Sequence, residues 1–191
     1  MIILETERLI VRNWREEDRE LVHRISHDEQ IMEFFPFRLS REESDKLYDR
    51  LYTMITETGY GFYALERKDT GECIGFCGLV AMSMEPFFKE GTVEIGWRLI
   101  PETWGKGYVS EAAKALLEYG FMEKKLPEIV SFAVHNNERS TAVMQRIGMK
   151  HDQSRDFSHP KVSDEYPHLQ PHVTYVMSRD DFLQKHESHS E

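Results

Sequence analysis

Two glycines separated by one residue precede a helical pattern in the middle of the chain, within the segment 104–110, Trp-Gly-Lys-Gly-Tyr-Val-Ser. Glycine has no Cβ, so the backbone at Gly105 and Gly107 can bend tightly and come close to a ligand. The start of the following helix offers unpaired N–H groups and the positive end of the helix dipole, which favour a phosphate group. The spacing therefore predicts a phosphate-binding turn. A plain strand-to-helix turn that binds nothing is the open alternative.

Two common nucleotide-binding motifs are excluded at this turn. A mononucleotide P-loop requires Gly-x-x-x-x-Gly-Lys-Ser/Thr, whereas Ile100 stands five positions before Gly105 and Gly107 follows Lys106. A dinucleotide-binding fingerprint requires Gly-x-Gly-x-x-Gly, but the sixth position is Ser110. The phosphate compound must therefore belong to another class.

The strands and helices around this turn can be predicted from the spacing of apolar residues, which differs between the two kinds of element. Alternating patterns predict strands over residues 9–14, 62–67, 72–80, 92–99, 129–134 and 172–177. Helical spacing and capping residues predict helices over 16–26, from Ser40 to Gly59, over 109–120, from Asn137 to Gly148, and after Ser178. This order predicts a mixed α/β sheet in a single domain over residues 1–191, with its core at about 5–178.

The composition narrows the class of protein. The chain has 24 basic and 34 acidic residues, and the net charge of −10 opposes a general nucleic-acid binder. No apolar run is long enough to span a membrane, and no secretory signal is visible. Cys73 and Cys77 are too few for a disulfide framework, and the histidine spacings match no zinc pattern. We expect a cytoplasmic protein that needs no metal, nucleic acid or membrane.

Four segments resemble, in the same order, parts of the GNAT superfamily of acetyl-CoA-dependent N-acetyltransferases. Residues 5–9 (Glu-Thr-Glu-Arg-Leu) are similar to the opening strand of its ribosomal-protein serine/alanine acetyltransferase (Rim-like) branch, and 93–97 (Val-Glu-Ile-Gly-Trp) to its fourth strand. Residues 102–108 resemble its pyrophosphate-binding segment, and 137–149 its Asn-x-x-Ser helix. The resemblance spans about residues 5–150, and the tail segments 156–160 and 171–175 resemble a subset of this branch.

The chain departs from the family pattern at two positions. Glu102 stands where the family motif often begins with Gln or Arg, so one phosphate contact is missing or is made by Lys106. Met144 stands where many relatives carry a tyrosine that protonates the leaving group. The resemblance therefore leaves the identity of that acid open.

The resemblance implies an α/β (α+β) fold with a mixed, mostly antiparallel sheet, splayed central strands and flanking helices, and it implies acetyl-CoA as co-substrate. The expected acetyl-CoA contacts are Arg98, Leu99 and Ile100 along the pantetheine, Gly105, Lys106, Gly107, Tyr108, Val109 and Ser110 around the pyrophosphate, and Asn137 toward the pantetheine. Strand-like hydrogen bonds to pantetheine are a form of β-augmentation, and the amide near Leu99 would stabilise the oxyanion.

Four further side chains receive roles under this resemblance. Glu94, on the polar face of its strand, is the expected base, because the attacking amine must lose a proton. Ser140 lies one helical turn before Met144 and carries a hydroxyl that can support the departing thiolate. Phe35 and Phe37 would line the acceptor pocket. Each residue also has a purely structural alternative: Glu94 as a solvated carboxylate on a strand, Ser140 as a residue packed beside Asn137, and Phe35 and Phe37 as core residues.

The resulting prediction is an N-acetyltransferase in which a primary amine attacks acetyl-CoA directly, without a covalent enzyme intermediate. The expected acceptor is a protein or peptide N-terminus, with a small polyamine or antibiotic amine as the second possibility, and the enzyme would be a monomer or homodimer. A non-catalytic acetyl-CoA-binding protein and an interaction module whose turn binds nothing are the alternatives.

Overall fold

The computed structural model describes residues 1–190, which divide into two compact units. The first unit contains residues 1–80 and 96–115, and the second contains 81–95 and the chain from residue 116 onward. Each unit is therefore built from two separate stretches of chain. The expectation of a single domain remains a prediction.

The first unit carries four antiparallel strands in sequential order. They are β1 (Ile2–Glu5), β2 (Leu9–Arg12), β3 (Gly61–Arg67) and the first part of β4 (Cys73–Met84). Alternation along β2 places the side chains of Leu9 and Val11 in the core, where both are fully buried. The unit's helices are α1 (Arg19–His27), α2 (Arg41–Thr58) and most of α3 (Tyr108–Glu118).

Local capping explains where α2 begins and ends. The Ser40 hydroxyl accepts a hydrogen bond from the Glu43 amide at 3.2 Å, and the Glu43 carboxylate accepts one from the Ser40 amide at 3.0 Å. Gly59 closes the helix with a φ of 76°, which favours glycine. The helix predicted from Ser40 to Gly59 is confirmed.

The second unit is arranged around a long antiparallel pair. It contains the first part of β5 (Phe88–Leu99), then β6 (Glu128–Val134), α4 (Glu138–Arg146), β7 (Lys150–His151), β8 (Phe157–Ser158), β9 (Pro171–Ser178) and α5 (Arg179–Glu187). Strand β9 pairs antiparallel with β6, β7 and β8, whereas β6 is parallel to β5 through Glu94↔Val130. The predicted mixed, mostly antiparallel sheet with flanking helices is confirmed.

Several strands differ from the sequence prediction, among them β1, β4, which extends to Met84 instead of residue 80, and β5. Strand β1 was not expected, because its four residues carry little pattern and are held by pairing with β2. Strand β5 begins at Phe88 rather than at residue 92, although Pro86 and Gly91 favour a loop. Phe88 is 1% exposed in a cluster with Met84, Val130 and Phe157, so tertiary packing extends the strand beyond its local signal.

Candidate active site

The glycine turn has the backbone geometry that its sequence predicts. Gly105 and Gly107 have φ values of 73° and 80°, a region that side chains with a Cβ rarely adopt. Gly105, Lys106 and Gly107 are exposed, whereas the next residue, Tyr108, is buried at the start of α3. The turn therefore presents its backbone to solvent directly before the N-terminus of an eleven-residue helix.

Arg8 and Glu111 anchor this turn. The Arg8 guanidinium donates from Nε to the Glu111 carboxylate at 2.7 Å and from Nη1 to the Lys106 carbonyl oxygen at 2.9 Å. Its carbon Cζ lies 4.3 Å from the centre of the Tyr108 ring. Thr6 adds a hydroxyl hydrogen bond of 2.5 Å to the same carboxylate. No local pattern in the sequence predicts this anchor, because its partners are more than 100 positions apart.

Leu99 and Ile100, at the end of β5, direct their backbone groups to opposite sides. The Ile100 amide donates to the Ile74 carbonyl at 3.0 Å, so this residue faces β4. Successive residues of a strand direct their backbone groups to opposite edges, so Leu99 faces away from β4. The Trp104 indole N–H already occupies the Leu99 carbonyl at 2.9 Å. The Leu99 N–H therefore lies on the side of β5 that faces away from β4.

The backbone groups of Ile100, a predicted pantetheine contact, both have partners in this structure. Its amide donates to Ile74, and its carbonyl accepts from the Thr103 amide at 3.0 Å and from the Thr103 hydroxyl at 2.8 Å. Both backbone groups thus have partners inside the protein. A contact through the Ile100 side chain would also be restricted, because that side chain is 2% exposed.

The acidic residue at the start of the glycine segment is paired with a basic side chain. Glu102 is exposed and forms a bidentate ion pair with Arg24. This hydrogen bonding lowers the pKa of Glu102, so its carboxylate remains ionised. The Arg24 charge offsets the negative charge that Glu102 brings close to the glycine turn.

The aromatic segment between α1 and α2 lies beside Arg98. Phe35 and Phe37 are 37% and 46% exposed, and their ring centres are 5.9 Å apart. The Arg98 guanidinium carbon lies 4.6 Å from the centre of the Phe35 ring and 5.3 Å from that of Phe76. The predicted acceptor-lining residues therefore form an open aromatic surface beside a half-buried cation.

The surroundings of Glu94 raise the pKa of its carboxyl group. It is half-buried on β5 opposite Val130 rather than fully solvated, and desolvation raises its pKa to about 7. The nearby charge of Lys161 acts in the opposite direction. A carboxyl group with this pKa exchanges protons near neutral pH, which suits a general base.

Helix α4 begins with the predicted Asn137 cap, and the Met144 side chain further along the helix is buried in the core. The Asn137 side chain accepts a hydrogen bond from the Ser140 amide at 3.3 Å, so its capping role is confirmed. Ser140 is half-buried, and its hydroxyl is left for other contacts. Met144 is 1% exposed. A tyrosine at this position would overpack the core, so a simple exchange would not restore the family's acid.

The two cysteines and the pair His159 and His172 have surroundings that favour structural roles. Burial raises the pKa of Cys73 to about 12 and raises that of Cys77 as well, which excludes reactive thiolates. His159 and His172 lie 4.9 Å apart between ring centres in an aromatic cluster, and burial lowers the pKa of both. Across residues 1–190, no group of histidine, cysteine and acidic residues could hold a metal ion.

A cavity of about 600 Å³ lies elsewhere in the first unit. Its lining includes His23, Arg24 and the buried ion pair of Arg12 and Asp18, in which the Arg12 Nη1 lies 2.8 Å from the Asp18 Oδ2. None of the predicted site residues lines it. Its walls alternate acidic and basic groups, so the cavity does not indicate a phosphate compound.

Three kinds of comparison relate this chain to known proteins. The family model described as "Acetyltransferase (GNAT) domain" matches residues 8–150. The uncharacterized N-acetyltransferase YnaD of Bacillus subtilis is 31% identical over 149 residues, covering 78% of this chain and 83% of that protein. The crystal structure of a GNAT-family acetyltransferase from Bacillus anthracis has a TM-score of 0.75 and 26% identity, covering 94% of this chain and 99% of that one.

A more distant neighbour shares the fold. Spermidine N-acetyltransferase from Vibrio cholerae, in complex with CoA and spermine, has a TM-score of 0.71 and 18% identity, covering 92% of this chain and 98% of that one. In the part of this chain that the structure describes, no helix is long and apolar enough to cross a membrane.

Proposed function

The chain belongs to the GNAT acetyltransferase family, and from this premise we propose that it transfers the acetyl group of acetyl-CoA to a primary amine by direct attack in a ternary complex. The acceptor is a protein or peptide N-terminus, or a small amine. The single observation that carries the catalytic role is Glu94, a half-buried carboxyl group whose pKa is raised to about 7.

The glycine turn is the proposed site for the pyrophosphate of acetyl-CoA. Its exposed backbone, its two positive φ values and the N-terminus of α3 fit a phosphate group. A Cβ at Gly105 would meet no atom within 4 Å, so the space next to this backbone is open. The Arg8 hydrogen bond to the Lys106 carbonyl stabilises this conformation of the turn without a ligand, which reduces the ordering cost of binding.

Glu94 is the proposed acceptor of the amine proton. The amine nitrogen attacks the thioester carbonyl carbon, a C–N bond forms, and the nitrogen loses one proton to Glu94, directly or through water. Glu94 then returns this proton to solvent. A free α-amino group has a pKa of about 7.8, closer to that of Glu94 than a lysine at about 10.4, which favours an N-terminal amine.

The carbon–sulfur bond breaks as the amide product forms, and coenzyme A leaves as a thiolate. The Leu99 N–H is the proposed donor to the carbonyl oxygen while it carries negative charge. The Ser140 hydroxyl, directly or through water, supports the departing sulfur, which finally takes a proton from solvent. Asn137 is proposed to contact the pantetheine while its side chain caps α4.

A non-catalytic acetyl-CoA-binding protein is the second candidate function. The observation that favours it is Met144, which is buried and offers no proton where many relatives carry tyrosine. The two candidates share a binding site and differ in turnover.

Ligand binding and turnover together test the proposal. A ligand at 100 times its Kd stabilises the folded state by about 2.7 kcal/mol, so CoA should raise Tm clearly and more than ATP or NAD does. Acetyl-CoA with a panel of peptides and small amines should then release thiol only when an amine is present. A CoA shift without amine-dependent thiol release would favour the non-catalytic candidate. No CoA shift, or an equal one with ATP, would contradict both.

A further inference from the structure

Arg98 is a shielded cation with few partners. Its side chain is half-buried on β5, and its one hydrogen bond, of 3.3 Å, runs from Nη1 to the Ile25 carbonyl in the last turn of α1. The Arg98 Nε is completely shielded from solvent and has no hydrogen-bond partner. A guanidinium has five N–H donors, so most of the donor capacity of this group is unused.

No carboxylate among residues 1–190 forms an ion pair with Arg98. The other arginines close to predicted site residues are paired: Arg8 with Glu111, and Arg24 with Glu102. Desolvation without a compensating charge lowers the pKa of Arg98 to about 10, which leaves it protonated at neutral pH. Shielded polar atoms in proteins usually have a hydrogen-bond partner, so the unpartnered Nε of this half-buried arginine favours an anion from outside the chain.

Aromatic rings form the rest of the surroundings. The rings of Phe35 and Phe76 lie against the guanidinium carbon, at 4.6 Å and 5.3 Å to their centres. Phe62 stacks on Phe76, with ring centres 4.7 Å apart, and contacts the position where Gly96 would carry a Cβ. Ring faces attract a cation but cannot accept the hydrogen bonds that Nε requires. Phe35 is 37% exposed and the Arg98 side chain itself is half-buried, so part of this group faces solvent.

We infer that Arg98 binds a carboxylate group of the acetyl acceptor, so that the preferred substrates are amines that also carry a carboxylate. The inference rests on the proposed acetyltransferase function and concerns only which amine is chosen. One guanidinium neutralises one negative charge and matches the planar, bidentate geometry of a carboxylate. A polyamine brings only positive charge to this cation and is disfavoured. The carboxylate can belong to a free amino acid or to an acidic side chain of a peptide.

Matched acceptor pairs test the inference. The first pair is a free amino acid and its amide; the second is two peptide amides that differ only by aspartate or asparagine at the second position. The parent enzyme should favour the carboxylate member of at least one pair, by about 10-fold or more in kcat/KM. Arg98→Met should reduce this preference at least 10-fold. The preference is the ratio of kcat/KM for the two members of a pair. Dividing this ratio in the parent by the same ratio in the variant cancels the intrinsic reactivity of each amine. The pair that responds identifies the source of the carboxylate.

Two controls separate folding from recognition. Arg41→Met removes an exposed arginine that is paired with Glu20, and its preference should equal that of the parent. The CoA-induced rise in Tm should persist in Arg98→Met, because the expected pantetheine contact of Arg98 is a backbone contact that methionine keeps, and the changed side chain contacts Phe35 and Phe76. If this variant does not fold, inhibition of the parent enzyme replaces it: a carboxylic acid that lacks the amine should compete with the acceptor, and its amide should not.

The outcomes distinguish the inference from the proposed function. If the parent acetylates no amine, the proposed function fails. If it acetylates amines with equal preference for both members of each pair, or if Arg98→Met keeps the preference of the parent, the assignment of Arg98 is wrong while the acetyltransferase function stands. Rapid acetylation of spermine with no effect of Arg98→Met would also overturn it.

Discussion

Arg8 holds Glu111 by two hydrogen bonds, one of 2.7 Å from its Nε and one of 2.9 Å from its backbone amide. Glu111 lies in the first turn of α3, where a negative charge also interacts favourably with the helix dipole. The same guanidinium reaches the Lys106 carbonyl, so one ion pair fixes both the helix and the turn before it. The conformation of the glycine turn therefore depends on a contact outside the turn.

Replacing Glu111 should loosen the turn and destabilise the protein. Glu111→Gln weakens the contact to Arg8, which we expect to cost about 1.5 kcal/mol, at the low end for hydrogen bonds to a charged group. The Tm should fall by roughly 3–6 °C, and Kd for CoA should rise several-fold. Glu118→Gln, at the exposed end of the same helix, is the matched control and should change neither quantity.

The pH dependence of this loss checks its origin. Burial alone would raise the pKa of Glu111, but the hydrogen bonds from Thr6 and Arg8 prevail and lower it below its ordinary value of 4.5. A lowered pKa stabilises the fold above the ordinary value, and this contribution disappears as the pH falls through the pKa of the folded state. The Tm difference between parent and Glu111→Gln should therefore shrink as the pH falls from about 7 to about 3. A difference that grows toward acid pH would contradict the account.

Gly107→Ala should impair CoA binding beyond its cost in stability. At a φ of 80°, a Cβ costs roughly 1–2 kcal/mol, and it would lie 3.4 Å from the Arg8 Nη2 beside the exposed backbone. We expect at least a 10-fold rise in Kd for CoA, measured by titration calorimetry. Gly71→Ala is the matched control, since Gly71 has a φ of 74° in a hairpin with nothing within 4 Å of the added Cβ. Equal CoA affinity in both variants would remove the glycine turn from the binding site.

The parts of the fold and of the candidate site that follow from local chemistry could be predicted from the sequence. Ser40 and Asn137 cap their helices through neighbouring amides, and Gly105 and Gly107 adopt the backbone conformation that glycine allows. The pattern around Glu94 showed which face of the strand is polar. It could not show the desolvation, because that depends on how other segments pack around the strand.

Contacts between distant segments were beyond prediction. The partners of Arg8 lie about 100 positions away, and Arg98 meets Phe35 from a different element. No spacing rule links such positions in a single sequence. The occupied backbone groups of Ile100 likewise depend on the register of β4 against β5, which a strand pattern does not fix.

Glu94 should determine the pH dependence of turnover. Only its ionised form accepts a proton, so kcat/KM should rise with pH through an apparent pKa of about 7. Glu94→Gln should lower kcat/KM by roughly 100-fold or more near neutral pH and leave Kd for CoA nearly unchanged. Lys161→Met removes the charge that lowers this pKa, so the rise should move to higher pH. Rates within about twofold of the parent in Glu94→Gln from pH 6 to 9 would assign the proton to another group.

The same carboxyl group should reduce stability when it is ionised. A pKa raised in the folded state means that the fold binds more protons than the unfolded chain between about pH 4.5 and 7. Its contribution to stability is therefore present at acid pH and is lost as the pH rises through about 7. Glu94→Gln should have a higher Tm than the parent at about pH 8 and a similar Tm at about pH 4. A lower Tm at about pH 8 would show that the carboxylate has a stabilising partner.

Ser140→Ala should slow the chemical step and not affect binding. A hydroxyl directed at developing charge contributes about 2.7–4 kcal/mol at an oxyanion, and a thiolate needs less, so we expect a 10- to 100-fold fall in kcat. The Asn137 cap accepts from the Ser140 amide, which alanine keeps, so the helix and Tm should change little. Thr141→Ala removes the next hydroxyl, which bonds the Glu138 carbonyl, and serves as control. Weaker CoA binding with an unchanged kcat would make Ser140 a cofactor contact instead.

The fate of the acetyl group tests the central claim most directly. The protein is mixed with acetyl-CoA labelled in its acetyl carbon and with an accepted amine, the reaction is stopped within one turnover, and protein and amine are analysed by mass spectrometry. Direct attack predicts that the label appears on the amine nitrogen in step with thiol release and never on the protein. An acetylated protein side chain that forms before the product, or a bound acetyl-CoA that stays intact with every amine tested, would contradict the account.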